Sequence, residues 1–231
     1  MRVPTPSPEP SHLKLVMFDW DGTLMDSTER IVSSFQNAMR TLSLPVLPPE
    51  SIMAVIGLGL PEAADALFPE LDSAVQKRLA QVYQQYYFEL DPTPMRLYDG
   101  AEDLLADLAV RGFWLSVATG KSRRGLNEVL ESTGLGRYFF ATRCAEETLS
   151  KPDPLMLREL MFEAQAEPAQ CLMVGDTQFD LDMARHARVP AVGVTHGAHG
   201  HEALAASQPV ALVDDLYALA AWMRPFELQP L

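Results

Sequence analysis

The chain alternates between short unbroken apolar runs and longer stretches in which apolar residues recur every three to four positions. The first unbroken run, Leu13 to Phe18, has the length of a buried strand. It ends abruptly in Asp19-Trp20-Asp21-Gly22-Thr23-Leu24. Ile31, Phe35, Ala38, Met39 and Leu42 then recur at helical spacing, behind Asp26 or Ser27 as a cap. Pro45, Pro48 and Pro49 break that helix. A short helix is predicted from Pro49 to Ile56, Pro61 opens another, and Leu71 to Leu90 reads as a longer one. Strand and helix alternate after Tyr98-Asp99-Gly100. The predicted helices are Ala101 to Val110, Arg123 to Thr133, Leu155 to Ala164 and Asp182 to Ala187. The predicted strands are Phe113 to Ala118, Tyr138 to Ala141, Cys171 to Val174, Pro190 to Val194 and Ala211 to Val213.

That alternation is the pattern of an α/β protein with a doubly wound parallel sheet. Residues 27–92 are all helix between two strand–helix regions, so they read as an inserted helical module whose edges are hinges. The expected division is therefore a core of residues 13–26 plus 93–231 around a helical insert, 27–92. Residues 1–12, with Pro4, Pro6, Pro8 and Pro10, read as a disordered or extended arm.

Composition narrows the partners. Of 231 residues, 48% are hydrophobic, which fits a globular chain with one large core. A formal net charge of -13 argues against a nucleic-acid groove or an anionic membrane surface. No apolar run approaches the ~20 residues needed to span a bilayer, and residues 1–12 lack the apolar core of a signal peptide, so a cytoplasmic location is expected. Cys144 and Cys171 form no metal or redox motif and read as buried free thiols.

The candidate chemistry sits where apolar strands end. Side chains alternate along a strand, so Asp19 and Asp21 could share a pocket, and a cation between them would relieve their repulsion. One carboxylate could be a nucleophile and the other an acid/base; the plainer reading is that both start a loop. Thr119-Gly120-Lys121-Ser122 offers a hydroxyl and backbone amides at a helix start, either a phosphate cradle or simply a cap. It is not a P-loop, because Leu115 stands where the first glycine is required. Lys151, before Pro152-Asp153-Pro154, could supply a fixed cation. Asp176 and Asp180 follow a very apolar strand and suit a hard cation such as Mg²⁺. Ile56-Gly57-Leu58-Gly59-Leu60 is a turn whose backbone amides could touch a small anion. His196-Gly197-Ala198-His199-Gly200-His201 reads as a loop near the pocket mouth rather than a transition-metal site. Arg123 or Arg124 could reach a second anionic group of a substrate, although exposure at the surface is the plainer role.

Taken in order, DxDGTLxDS, a strand ending in Thr-Gly, Lys-Pro-x-Pro and GDxxxD resemble the haloacid dehalogenase superfamily, from about Leu13 to Val213. Within it the chain is most similar to the phosphoglycolate phosphatase-like branch. The resemblance implies a Rossmann-like core with an inserted helical cap. It also implies roles. Asp19 would attack phosphorus and form an aspartyl phosphate. Asp21 would protonate the leaving oxygen and then activate water. Thr119 and Lys151 would hold the transferring phosphoryl group, with Gly120 and the cap residue Gly57 as further substrate contacts. Asp19, the Asp21 carbonyl and Asp176 would ligate Mg²⁺, with Asp180 placing Lys151 or a metal-bound water. The implied activity is a Mg²⁺-dependent phosphatase of a small phosphorylated metabolite, phosphoglycolate first. The alternatives are a pyrophosphatase, a sugar-phosphate or nucleotide phosphatase, a phosphomutase, or a non-catalytic binding member. The 27–92 segment has no histidine, which favours hydrolysis over mutase chemistry. No nucleic-acid or membrane partner is expected, and the assembly is a monomer or a homodimer.

Overall fold

A computed structural model describes residues 13–226. The proline-rich arm and the last five positions of the expected core, 227–231, lie outside the described residues. The chain opens with β1 (Leu15–Phe18), in which Leu15 and Met17 pack into one apolar cluster and Val16 and Phe18 into another. This strand is therefore covered on both faces, as an all-parallel sheet requires. Five further strands join it: β4 (Trp114–Thr119), β5 (Phe139–Cys144), β6 (Cys171–Gly175), β7 (Ala191–Val194) and β8 (Ala211–Val213). Their order is β5-β4-β1-β6-β7-β8, every pairing parallel. The sheet is flanked by α5 (Ala101–Val110), α6 (Arg123–Thr133), α7 (Leu155–Ala164), α8 (Gln178–Ala187), α9 (His201–Ala206) and α10 (Leu216–Met223). The predicted Rossmann-like α/β class holds. The chain leaves β1 for β4 on one side and returns to β6 on the other. The carboxyl end of β1 is thus the topological switch point, where ligand crevices form in open α/β sheets.

Between β1 and β4 the chain makes an antiparallel two-strand ribbon, β2 (Met25–Asp26) with β3 (Arg96–Leu97). The helices α1 (Thr28–Thr41), α2 (Pro49–Met53), α3 (Leu60–Leu67) and α4 (Ser73–Gln85) lie between the ribbon strands. They bury an apolar cluster of their own, including Ile31, Phe35, Ile52, Leu79 and Val82. Two strands of two residues each are too short to show any apolar alternation, so the ribbon went unseen in the sequence pattern.

Several boundaries differ from the sequence expectation. The long helix starts at Ser73 rather than Leu71, because Asp72 accepts the backbone N–H groups of Ala74 and Val75 at 2.9 Å each. After Gln85 it continues to Leu90 as one wider π-type turn, an element frequent at functional sites. The helix predicted from Pro49 to Ile56 stops at Met53 and tightens into turns ahead of Gly57, whose φ is +102°. Helix α8 begins at Gln178, four residues earlier than predicted, because Thr177 and Asp180 cap each other's backbone. Ser27 takes the N-cap position of α1 but makes no cap bond, since its hydroxyl goes elsewhere. Both cysteines are buried free thiols, as expected. Among the described residues no helix is long and apolar enough to cross a membrane.

Candidate active site

Three neighbouring strands end together at the switch point. Asp19 follows β1, Thr119 closes β4, and Asp176 follows β6. All three are 0–1% exposed. The turn after Asp19 is held by the Trp20 carbonyl, which accepts the N–H groups of Leu24 and Met25 at 3.0 Å each. Gly22, at φ +80°, lies so close to Asp176 that a Cβ there would meet its carboxylate, and Thr23 Oγ1 donates to Asp176 Oδ1 at 2.7 Å. The Asp-Gly-Thr sequence therefore shapes a seat for a carboxylate 153 residues downstream.

Lys151, from the loop between β5 and α7, is buried with its ammonium 2.8 Å from Asp19 Oδ1 and 2.7 Å from Asp180 Oδ1. Asp180 is engaged on its other oxygen as well, accepting Thr177 Oγ1 at 2.7 Å and Thr177 N–H at 3.0 Å. Its geometry is thus that of an anchor for Lys151. Burial disfavours the charge on Lys151, but Asp180 and Asp19 outweigh it and hold the lysine pKa above its ordinary value.

Asp19, Asp176 and Asp180 each offer a carboxylate oxygen within 4.8 Å of the others. Three buried carboxylates face one ammonium, an excess of two negative charges when all are ionised. The consequence is visible in their protonation. Burial, with Asp180 and Asp21 adding and Lys151 opposing, pushes Asp19 from 3.8 up to about 7. Burial, then Asp180 and Asp19, pushes Asp176 well above its ordinary value. A divalent cation would relieve both, and all-oxygen donors suit Mg²⁺. The sign of the pH effect follows. The native state holds the Asp19 proton more tightly than the unfolded chain does, so its metal-free stability falls as pH rises from about 4 to about 7. A cation selects the ionised form and must release that proton. The rise in Tm caused by Mg²⁺ is therefore expected to grow between pH 6 and pH 8, with proton release measurable by calorimetry in two buffers. A pH-independent Mg²⁺ effect would remove the cation from this cluster.

The Asp21 carboxylate is turned away from that cluster. Lys121 Nζ donates to its two oxygens at 2.9 and 3.0 Å, and Ser27 Oγ donates at 2.6 Å. Lys121 also donates to Tyr87 Oη at 2.8 Å, in the π-type turn of the helical segment. The Lys121 side chain was missed in the sequence, where only its backbone amide was considered; that amide donates to Thr119 Oγ1 at 3.2 Å. Gly57 lines the cleft with Asp19 and Asp21. Of the turn's amides, Leu58 N–H donates to Val55 O and Gly59 N–H donates to Ser150 Oγ at 2.8 Å. The carbonyls of Gly57 and Leu58 crowd the Cα of Gly120, where no Cβ would fit. Arg123 is committed to Glu147 at 2.6 Å and Arg124 to Glu128 at 2.8 Å, and neither lines the cleft. The His196–His201 loop packs on Asp176, with Ala198 N–H donating to Asp176 Oδ2 at 2.7 Å. His199 Nδ1 accepts Gln178 N–H, a local tie rather than a metal ligand.

The family description of haloacid dehalogenase-like hydrolases matches residues 16–194. The chain belongs to that family. Among curated relatives, "Probable phosphatase IndB" of Dickeya dadantii is 38% identical over 205 residues, 87% of this hydrolase and 89% of the relative. The phosphoglycolate phosphatase of Vibrio vulnificus is 29% identical over 219 residues, covering 90% and 94%. A solved structure described as a predicted phosphoglycolate phosphatase from Haemophilus somnus superposes with a TM-score of 0.83 at 27% identity, covering 92% of this hydrolase and 98% of that chain.

Proposed function

We propose that this hydrolase is a Mg²⁺-dependent phosphatase of a small phosphorylated metabolite, acting through an aspartyl phosphate on Asp19. The observation that carries the reading is the buried Lys151 bridging Asp19 and Asp180 beside a cleft. A lysine so placed holds one Asp19 oxygen, aims the other, and remains cationic to meet a phosphoryl group. A carboxylate that attacks a phosphate dianion faces charge repulsion, which Lys151 offsets. When bound, Mg²⁺ would be held by Asp19 and Asp176, and it supplies further charge neutralisation at the phosphoryl oxygens.

In the first step an Asp19 oxygen forms a bond to phosphorus as the bond to the leaving oxygen breaks, and that oxygen takes its proton from Asp21. In the second step water attacks the same phosphorus, its proton passes to Asp21, and the bond from phosphorus to Asp19 breaks. Lys121 and Ser27 keep the Asp21 carboxylate in one place for both transfers. Thr119 and Gly120, at the end of β4, line the same cleft as Asp19 and Asp21 and would border the phosphoryl group. The names of the relatives make phosphoglycolate the first ester to assay, with pyrophosphate, sugar phosphates and nucleotides beside it. Enzyme quenched in acid during turnover of a ³²P-labelled ester in Mg²⁺ is expected to carry protein-bound label that hydroxylamine removes, as an acyl phosphate must. Turnover with no such label would overturn the covalent route.

A further inference from the structure

The cleft above Asp19 and Asp21 is walled by the helical segment and has a cavity volume of about 90 Å³. Its chemistry is unlike a receptor for a second anion. Phe35, Val55, Ile56, Leu60, Tyr83 and Phe88 line it. Phe35 and Tyr83 stack with ring centroids 4.1 Å apart, Tyr83 and Tyr87 lie at 5.6 Å, and Tyr87 meets Phe88 edge-on at 5.2 Å. These rings form a continuous aromatic wall, which suits a flat apolar body.

Among the described residues lining this cleft the only cationic side chain is Lys121, and its charge is committed to Asp21. Arg30 is spent on the Tyr87 and Thr93 carbonyls and on Asp91. Arg124, which stacks on Phe88 at 4.4 Å, is paired with Glu128 and does not line the cleft. The Gly57 and Leu58 carbonyls pack against Gly120 and bring no cation to the cleft. The adjoining depression, which shares Leu60, Gln84 and Lys121 with the cleft, bears Glu62 and Glu146. A substrate carboxylate would therefore lose its water without gaining a free cationic partner, with two acids beside the cleft. The uncharged polar side chains that line it include Tyr83, Gln84 and Ser122, which suit neutral substituents.

We propose that the substrate is a phosphate monoester whose leaving group is uncharged and carries a flat apolar body, and that a carboxylate on the leaving group is selected against. This rests on the phosphatase reading above. It turns the choice of ester away from phosphoglycolate, although relatives carry that name.

Matched pairs test it, because each pair holds the scissile bond nearly constant. Phenyl phosphate is compared with 4-carboxyphenyl phosphate, and ethyl phosphate with phosphoglycolate, in Mg²⁺. The neutral member of each pair is expected to have the higher kcat/KM by at least about tenfold, which is about 1.4 kcal/mol of discrimination. Phenyl phosphate should show the lower KM of the two neutral esters. Leu58→Arg, at a half-buried lining position outside the proposed catalytic set, should narrow the ratio in both pairs by supplying the missing cation. Carboxylated esters turned over as fast as their neutral partners would overturn this assignment and leave the phosphatase reading standing. If 4-nitrophenyl phosphate and all four esters are inert with Mg²⁺, the phosphatase reading falls and takes the assignment with it.

Discussion

Asp19→Asn is expected to lower kcat on phosphate esters by on the order of 10⁴- to 10⁶-fold, as removal of a nucleophile does in other covalent enzymes. The same change is expected to leave the fold intact and to stabilise the metal-free protein. Asp19 is buried and its pKa is raised to about 7, so above pH 3.8 its ionisation opposes folding. Asparagine removes that charge while Lys151 keeps Asp180 at 2.7 Å. The metal-free Tm of the variant should rise by about 2–4 °C for each kcal/mol of repulsion relieved. Activity and stability thus move in opposite directions, as expected where a site holds charge for function rather than for folding. Turnover close to the parent rate would exclude Asp19 as nucleophile. A large fall in Tm would mean that Asp19 is a structural partner of Lys151 instead.

Lys151→Ala is expected to damage both properties. Its ammonium is the one cation within 3 Å of Asp19 and of Asp180 among the described residues. Removing it leaves three buried carboxylates facing one another. Breaking a buried pair from one side costs about 3–5 kcal/mol of stability. Loss of a preorganised electrostatic donor costs about 10²–10³ in kcat. The two effects separate in Mg²⁺, because a cation bound to Asp19 and Asp176 replaces part of the lost charge. The Mg²⁺-induced rise in Tm should then be larger in Lys151→Ala than in the parent, while kcat stays low. Lys151→Met, which preserves volume, should behave the same way if charge rather than packing matters. A rate within about twofold of the parent would place Lys151 outside the reaction.

Much of this was legible along the chain because the relevant signals are local. A strand that is apolar on both faces and then stops at Asp19, Thr119 or Asp176 announces itself in five or six residues. Lys151 was legible through the Lys-Pro-x-Pro turn. Lys121 was not, although it stands two residues from Thr119. Its side chain acquires meaning only from Asp21, 100 residues away, and Tyr87, 34 residues away. Ser27 was read as a helix cap because serine before a helix usually is one, yet Asp21 competes for its hydroxyl and wins at 2.6 Å. The Gly57 turn was expected to offer amides, and only the packing shows that those of Leu58 and Gly59 are engaged by Val55 and Ser150.

The sequence by itself determined which segments form the strands of the main sheet, that their carboxyl ends carry the acids and the hydroxyl, that Lys151 sits in a proline-rich turn, and that a helical stretch follows the first strand. These follow from apolar periodicity and turn chemistry, whose range is a few residues. The tertiary structure decided how the charges are shared out. Placing β4 and β6 on either side of β1 brings together groups 100 or more residues apart. In that arrangement Lys151 serves Asp19 and Asp180, and Lys121 serves Asp21. Pairing of buried charges depends on distances of about 3 Å, and only the folded chain sets those distances.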